Sequence, residues 1–134
     1  MLKENPPLLA EVTEKLKYTL CVSLSNMITN QQILIFKRSA DTLYLAKDYT
    51  SATILYFKVL FAVQDWLLLE KRGESPKDHH ERFRQLEKEF PALFRELDLE
   101  FSTYRDTYSK IIDKETCDRI KKMVENDLAK YQIK

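Results

Sequence analysis

The chain has 134 residues, 22 of them basic and 21 acidic, for a net charge of +1, and it holds one glycine, four prolines and two cysteines. That length suffices for one domain whose core needs no covalent staples. The balanced charge excludes a general field for nucleic acid or anionic membrane and leaves only local patches; so little glycine excludes a hairpin-rich fold.

Asn5-Pro6-Pro7 opens the predicted ordered part. Proline fits a first helical turn, where its missing N–H would be unpaired anyway. Leu9, Val12, Leu16, Leu20 and Leu24 recur at steps of three and four, which predicts a helix over 8–25. Polar residues 25–32 read as a connection or as a weak helical continuation, with Asn30 placed to cap a second helix. That helix is predicted over 31–47, with Ile33, Phe36, Ala40, Leu43 and Tyr44 inward. Asp48 stands where a further cap is needed. A turn this short predicts antiparallel neighbours.

The stretch 49–71 is apolar on most sides, and such a helix is buried on most sides. It is therefore predicted to be the axis of a bundle, with Phe57, Leu60, Phe61 and Leu68 in the core. Its surplus of apolar faces predicts a two-fold homodimer. Gly73 ends it, because a left-handed cap costs glycine little. The run 52–69 is long enough to span a membrane, but Lys58, Gln64 and Asp65 interrupt it. Each charge would cost roughly 2.5–3.5 kcal/mol at the centre of a span, so a buried helix of a soluble protein is the better reading. Lys58 and Asp65 share one face. Buried charges are normally paired, so each is expected to meet a neighbouring helix or a subunit interface.

Residues 75–78 lead into a helix predicted over 78–90, with Phe83, Leu86 and Phe90 inward. The charge run from Glu81 to Glu89 reads as a solvated face laced with ion pairs. Pro91 kinks or restarts the chain. A helix over 91–112 would carry Leu93, Leu97, Phe101, Tyr104, Tyr108 and Ile111 on one stripe. Asp113 caps the last helix, whose stripe is Cys117, Ile120, Val124, Leu128 and Tyr131. No segment alternates, so the fold class is all-α: an up-and-down bundle of four to six helices with a long buried central helix. Cys21 and Cys117 lack nearby cysteine partners and read as free thiols in a reducing compartment. No stretch near the start has signal-peptide character, so a cytoplasmic protein without membrane contact is expected.

Three constellations carry candidate chemistry. Asp78-His79-His80 spells the DHH of certain metal-dependent phosphoesterases, but two histidines and no strands do not make such a ligand set. Asp78 reads more simply as a helix cap, and no metal is expected. Arg72 and His79 are spaced like a catalytic pair, yet Gly73 and Pro76 lie between them, so one helical face cannot present both. Tyr104, Arg105, Tyr108 and Lys110 offer rings for stacking bases and cations for phosphates. The two tyrosines also continue a core stripe.

In their order and spacing these segments resemble the HEPN family, the higher eukaryotes and prokaryotes nucleotide-binding domains. The residues that carry the resemblance are the hairpin from Ala40 to Lys71, with Asp48-Tyr49 at its turn and Ala52, Lys58 and Ala62 beyond it; Lys77-Asp78-His79-His80; and Tyr104-Arg105-Asp106-Thr107-Tyr108. The likeness covers 33–131 and suggests an atypical archaeal or bacterial-type member. It divides a single domain, 1–134, into an N-terminal helical addition, 1–30, and a core bundle, 31–134. It implies a dimerising module, without a cofactor, that binds a nucleotidyltransferase partner, a nucleotide or RNA. The implied surface centres on Arg105, Asp106 and Lys110, with His79, His80, Tyr104 and Tyr108 as further binding candidates. Ribonuclease members of the family carry Arg, a polar residue, three residues and then His. Here Arg105 and Asp106 supply the first two, and Lys110 stands where His would. A lysine holds phosphate, but with an unperturbed pKa of about 10.4 it is a poor general base. A metal-independent RNA endonuclease of toxin–antitoxin type, with an atypical site, is one alternative; a purely structural adaptor is another. Any anion is expected in a groove between the start of the 78–90 helix and the middle of the 91–112 helix.

Overall fold

A computed structural model describes residues 30–134 of the chain. The predicted 8–25 helix, Cys21 and residues 25–29 of the first connection lie outside the described residues. Those described form an all-α bundle: α1 over 30–45, α2 Tyr49–Arg72, α3 His79–Glu89, α4 Pro91–Asp106 and α5 Lys114–Lys130.

Local chemistry sets most of the boundaries. Asp48, Asp78 and Asp113 each accept a hydrogen bond from the backbone N–H three residues on, at 3.1, 2.9 and 2.8 Å. Each bond satisfies one of the N–H groups that a helix start leaves without an intrahelical partner. Gly73 closes α2 in the left-handed region, with φ 83° and its N–H on the Leu69 carbonyl. Pro91 restarts the chain as the first residue of α4.

Three boundaries differ from expectation. Asn30 already lies in α1, and its Oδ1 is buried without a hydrogen bond, so it is not a cap. α1 stops at 45 because Lys47 turns left-handed at φ 64° and the Asp48 N–H closes on the Leu43 carbonyl at 2.9 Å. α4 stops at Asp106, short of 112. The Thr107 N–H splits between the Thr103 and Tyr104 carbonyls, its hydroxyl donates to the Tyr104 carbonyl at 2.6 Å, and the Lys110 N–H folds back to Asp106 at 2.8 Å. Tyr108 and Ile111 therefore leave the inner stripe and stand 75% and 93% exposed.

α1 packs antiparallel on α2, with the Tyr56 hydroxyl donating to Asp41 and the Tyr44 ring edge-on to Tyr49. α4 runs antiparallel to α3: His79 meets Tyr104, and Phe83 meets Phe94 and Phe101. The alternation is interrupted once. Phe61–His79, Asp65–Arg82 and Arg72–Glu89 climb together, so α3 runs alongside α2 in the same sense. The segment 73–78 must carry the chain back from residue 72 to the level of Phe61, about 16 Å of helix rise. Six residues reach about 20 Å, so the connection suffices. The result sets the start of α3 beside the middle of α2.

α2 is the axis. Phe57, Leu60, Phe61 and Leu68 are all buried, as are Leu86, Leu93, Leu97, Cys117, Ile120 and Val124 from the helices around it. α2 is long and apolar enough to cross a membrane by length and composition, and 61% of its most apolar window is buried within the bundle. None of its large apolar side chains is fully exposed, and Ile54, Leu55, Trp66 and Leu69 are half-buried; among the described residues the exposed large apolar side chains are Ile35, Leu45, Leu99, Tyr108 and Ile111. Burial pushes the Cys117 thiol up, which keeps it protonated and inert. On the α4–α5 side, burial and the neighbouring Glu96 push the Asp127 carboxyl up to about 7. Its protonated form is the favoured one, so this contribution to stability holds at low pH and is lost as pH rises through that value.

Candidate functional site

One face of α2 carries Ile54, Lys58, Phe61, Ala62 and Asp65 at helical steps of three and four. It forms the floor of a cleft of about 330 Å³, walled by Phe36 and Gln32 of α1, His79 and Arg82 of α3, Tyr104 of α4, and Thr107 and Tyr108 just beyond. The same-sense run of α3 creates this cleft, because it brings the first turn of that helix against Phe61 and Asp65.

Arg82 is the centre of the wall. Its Nε donates to Asp65 Oδ1 at 2.6 Å and its Nη2 to Asp65 Oδ2 at 2.9 Å. Its Nη1 lies 2.5 Å from His79 Nδ1, and its guanidinium carbon lies 4.9 Å from the centre of the Phe61 ring. The Arg82 side chain that carries this paired, stacked guanidinium is 10% exposed, while that of Asp65 keeps 26%. Guanidinium nitrogens only donate, so His79 Nδ1 is the acceptor and the proton of the neutral ring sits on Nε2. Burial, then the charge of Arg82, lowers the His79 pKa below its ordinary value, so the ring is neutral at pH 7.

Aromatic rings back this wall. The Tyr104 ring stands edge-on to Phe57 and Phe61, at 5.3 and 4.9 Å, and edge-on to His79 at 5.5 Å. Its hydroxyl pairs with that of Tyr108 at 2.6 Å. Burial, then this bond, pushes the Tyr104 phenol up to about 12, so it remains a neutral donor or acceptor. Lys58 projects on the opposite side, with Nζ 5.9 Å from the centre of the Phe36 ring. The cleft thus joins an exposed ammonium, a buried guanidinium with a matched carboxylate, a neutral imidazole and accessible tyrosine edges. Counting the ionised groups leaves one net positive charge.

The structure brings together only some of the residues singled out from sequence. His79, Tyr104 and Tyr108 line the cleft. His80 is exposed and does not line it. Arg105, Asp106 and Lys110 are outside it as well. Arg105 lies over the Phe101 ring at 5.9 Å, and Lys110 pairs with Asp106 at 3.4 Å on the exposed end of α4. Those three residues form a separate exposed surface at the end of α4, apart from the cleft around Lys58 and Arg82. The cleft lies between the start of α3 and the last turn of α4, where Tyr104 stands. Arg72 pairs with Glu89 and is remote from the cleft, which removes the Arg72–His79 spacing as a functional pair.

Lys58 is exposed, so it is a cleft residue and not a buried charge, whereas Asp65 does find its partner on a neighbouring helix. Arg82 is the residue that sequence reasoning missed, because it sits in a run that looked solvated. The available signal was its place three residues after His79 and four before Leu86, on the inner face of α3. Among the described residues no group of three or more His, Cys, Asp or Glu side chains is placed to hold a metal ion. No family model, curated protein or solved structure matches the chain.

Proposed function

We propose that the chain is a helical binding module that holds a phosphate-bearing ligand, a nucleotide or a short stretch of RNA, in the cleft between α1, α2, α3 and the end of α4. The observation that supports this reading best is one concave site holding Lys58, Arg82 and the edges of Tyr104 and Tyr108. Cations suited to a phosphate beside rings suited to a base are the pairing used for single-stranded nucleic acid. The family resemblance points to the same ligand class, and it alone suggests a nucleotidyltransferase partner.

The endonuclease alternative has weaker support. A general base needs a free lone pair within reach of the proton it takes. Lys110 is outside the cleft, and the Nδ1 lone pair of His79 is occupied by Arg82. The NMR titration that tests the binding reading uses a short oligouridylate. Shifts are expected at Lys58, His79, Arg82 and Tyr108, and Lys58→Ala should weaken binding about tenfold, in line with loss of a charge-assisted contact. Added salt should weaken it further, and the oligomer should be recovered uncleaved. Shifts confined to 105–110 would return the site to the end of α4, and the absence of shifts would refute the reading.

Pairing of two copies belongs to the same proposal. Its support is the set of exposed side chains Leu99, Tyr108 and Ile111 along and beyond α4. Light scattering is expected to give twice the chain mass at micromolar concentration. A 16.0 kDa particle would exclude the dimer.

A further inference from the structure

The wall of the cleft is assembled so that a proton and an anion should bind together. Arg82 has five N–H donors. Asp65 takes two and His79 takes one. Two remain, one on each terminal nitrogen, and a guanidinium can present such N–H groups as a fork to two oxygens of one oxyanion. The Arg82 side chain is nine-tenths buried and lines the cleft, so this fork is held in place before a ligand arrives. Resting on the reading of the cleft as a phosphate site, we propose that an oxyanion seated on Arg82 draws a proton onto His79 Nδ1, so that ligand affinity rises as pH falls.

The atoms account for the coupling. In the empty site the Nδ1 lone pair accepts an N–H of Arg82. When a solvent proton adds to Nδ1, that bond breaks and the imidazole becomes a cation. The Arg82 N–H is released, and Nδ1–H becomes a second new donor. Without an anion the step is opposed, because two cations then lie side by side in a half-buried place. With an oxyanion on the fork, both new donors and the new charge gain a partner.

The groups around His79 set the direction. On α2, Asp65 favours its protonation, while Lys58 and the desolvating ring of Phe61 oppose it. At the cap of α3 Asp78 favours it, and within α3 Arg82 opposes it. From α4, Phe101 and Tyr104 contribute uncharged rings. Burial and Arg82 prevail, and the empty site holds the ring neutral. A bound anion offsets the Arg82 contribution. By linkage, whatever raises the proton affinity of His79 when the anion binds raises the anion affinity when His79 is protonated.

The test uses the dinucleotide UpU, whose single phosphodiester stays at one negative charge between pH 5.5 and 7.5; a phosphomonoester titrates near pH 6 and would confound the result. The His79 ring signals are followed by NMR across this range with and without saturating UpU. The His79 midpoint is expected to move up on binding. UpU affinity should rise about fivefold or more between pH 7.5 and 5.5, the low end of typical coupling. His79→Gln should flatten that profile whatever its absolute affinity. UpU that binds with an unmoved His79 midpoint and a flat profile would overturn the proposal and leave the binding reading intact. UpU that gives no shifts at the cleft at either pH would overturn both.

Discussion

Replacing Asp65 with alanine is expected to cost about 3 kcal/mol of folding stability. Asp65 supplies both carboxylate oxygens to Arg82, and without them the buried guanidinium keeps only His79 Nδ1 and the face of Phe61. Breaking one side of a buried ion pair typically costs about 3–5 kcal/mol, mainly through the uncompensated charge left behind. Asp65 retains a quarter of its side-chain exposure, and water relieves part of the penalty, so the low end applies. The loss should appear in urea titration as a lower midpoint with an unchanged slope. The double variant Asp65→Leu with Arg82→Met removes both charges and should recover most of the loss. A single variant that costs under about 1 kcal/mol would mean that the pair is effectively solvated, as in surface salt bridges. The cleft wall would then have to be held by the ring packing alone.

Leu60→Ala is expected to cost roughly 2–5 kcal/mol, the range for a buried leucine whose site does not collapse. Leu60 is 1% exposed on the axis of the bundle, one residue before Phe61. Truncation there leaves a void bordered by rigid neighbours, and those neighbours also carry the cleft: Phe61 stacks under Arg82 and against His79. The variant should therefore lower the melting temperature and also broaden the His79 ring signals. A melting temperature equal to that of the parent chain would mean that α2 is not the structural axis.

What sequence alone determined is chemistry that acts within a few residues or along one helix. Asp48, Asp78 and Asp113 could be read as caps because a cap bonds an N–H three residues away, and Gly73 as a stop because left-handed backbone strains every side chain with a Cβ. The buried axis was legible because apolar residues on most sides of 49–71 leave no solvated face. That Asp65 needs a partner was legible too, since a carboxylate in such a helix is not left alone.

The identity of that partner was decided only by the tertiary structure. Arg82 lies seventeen residues on, in a charge run that locally resembles any solvated face, and only the return of the chain through 73–78 sets α3 beside α2 in the same sense. The helical geometry expected around Arg105 and Lys110 changed for the complementary reason. Its spacing presumed a helix through 110, but the Thr107 hydroxyl and the shared N–H bonds end α4 at Asp106. Helix starts and buried stripes come from short-range bonding and periodicity. Which side chains face each other across a cleft depends on the path of a six-residue connection, and nothing local in its sequence specifies that path.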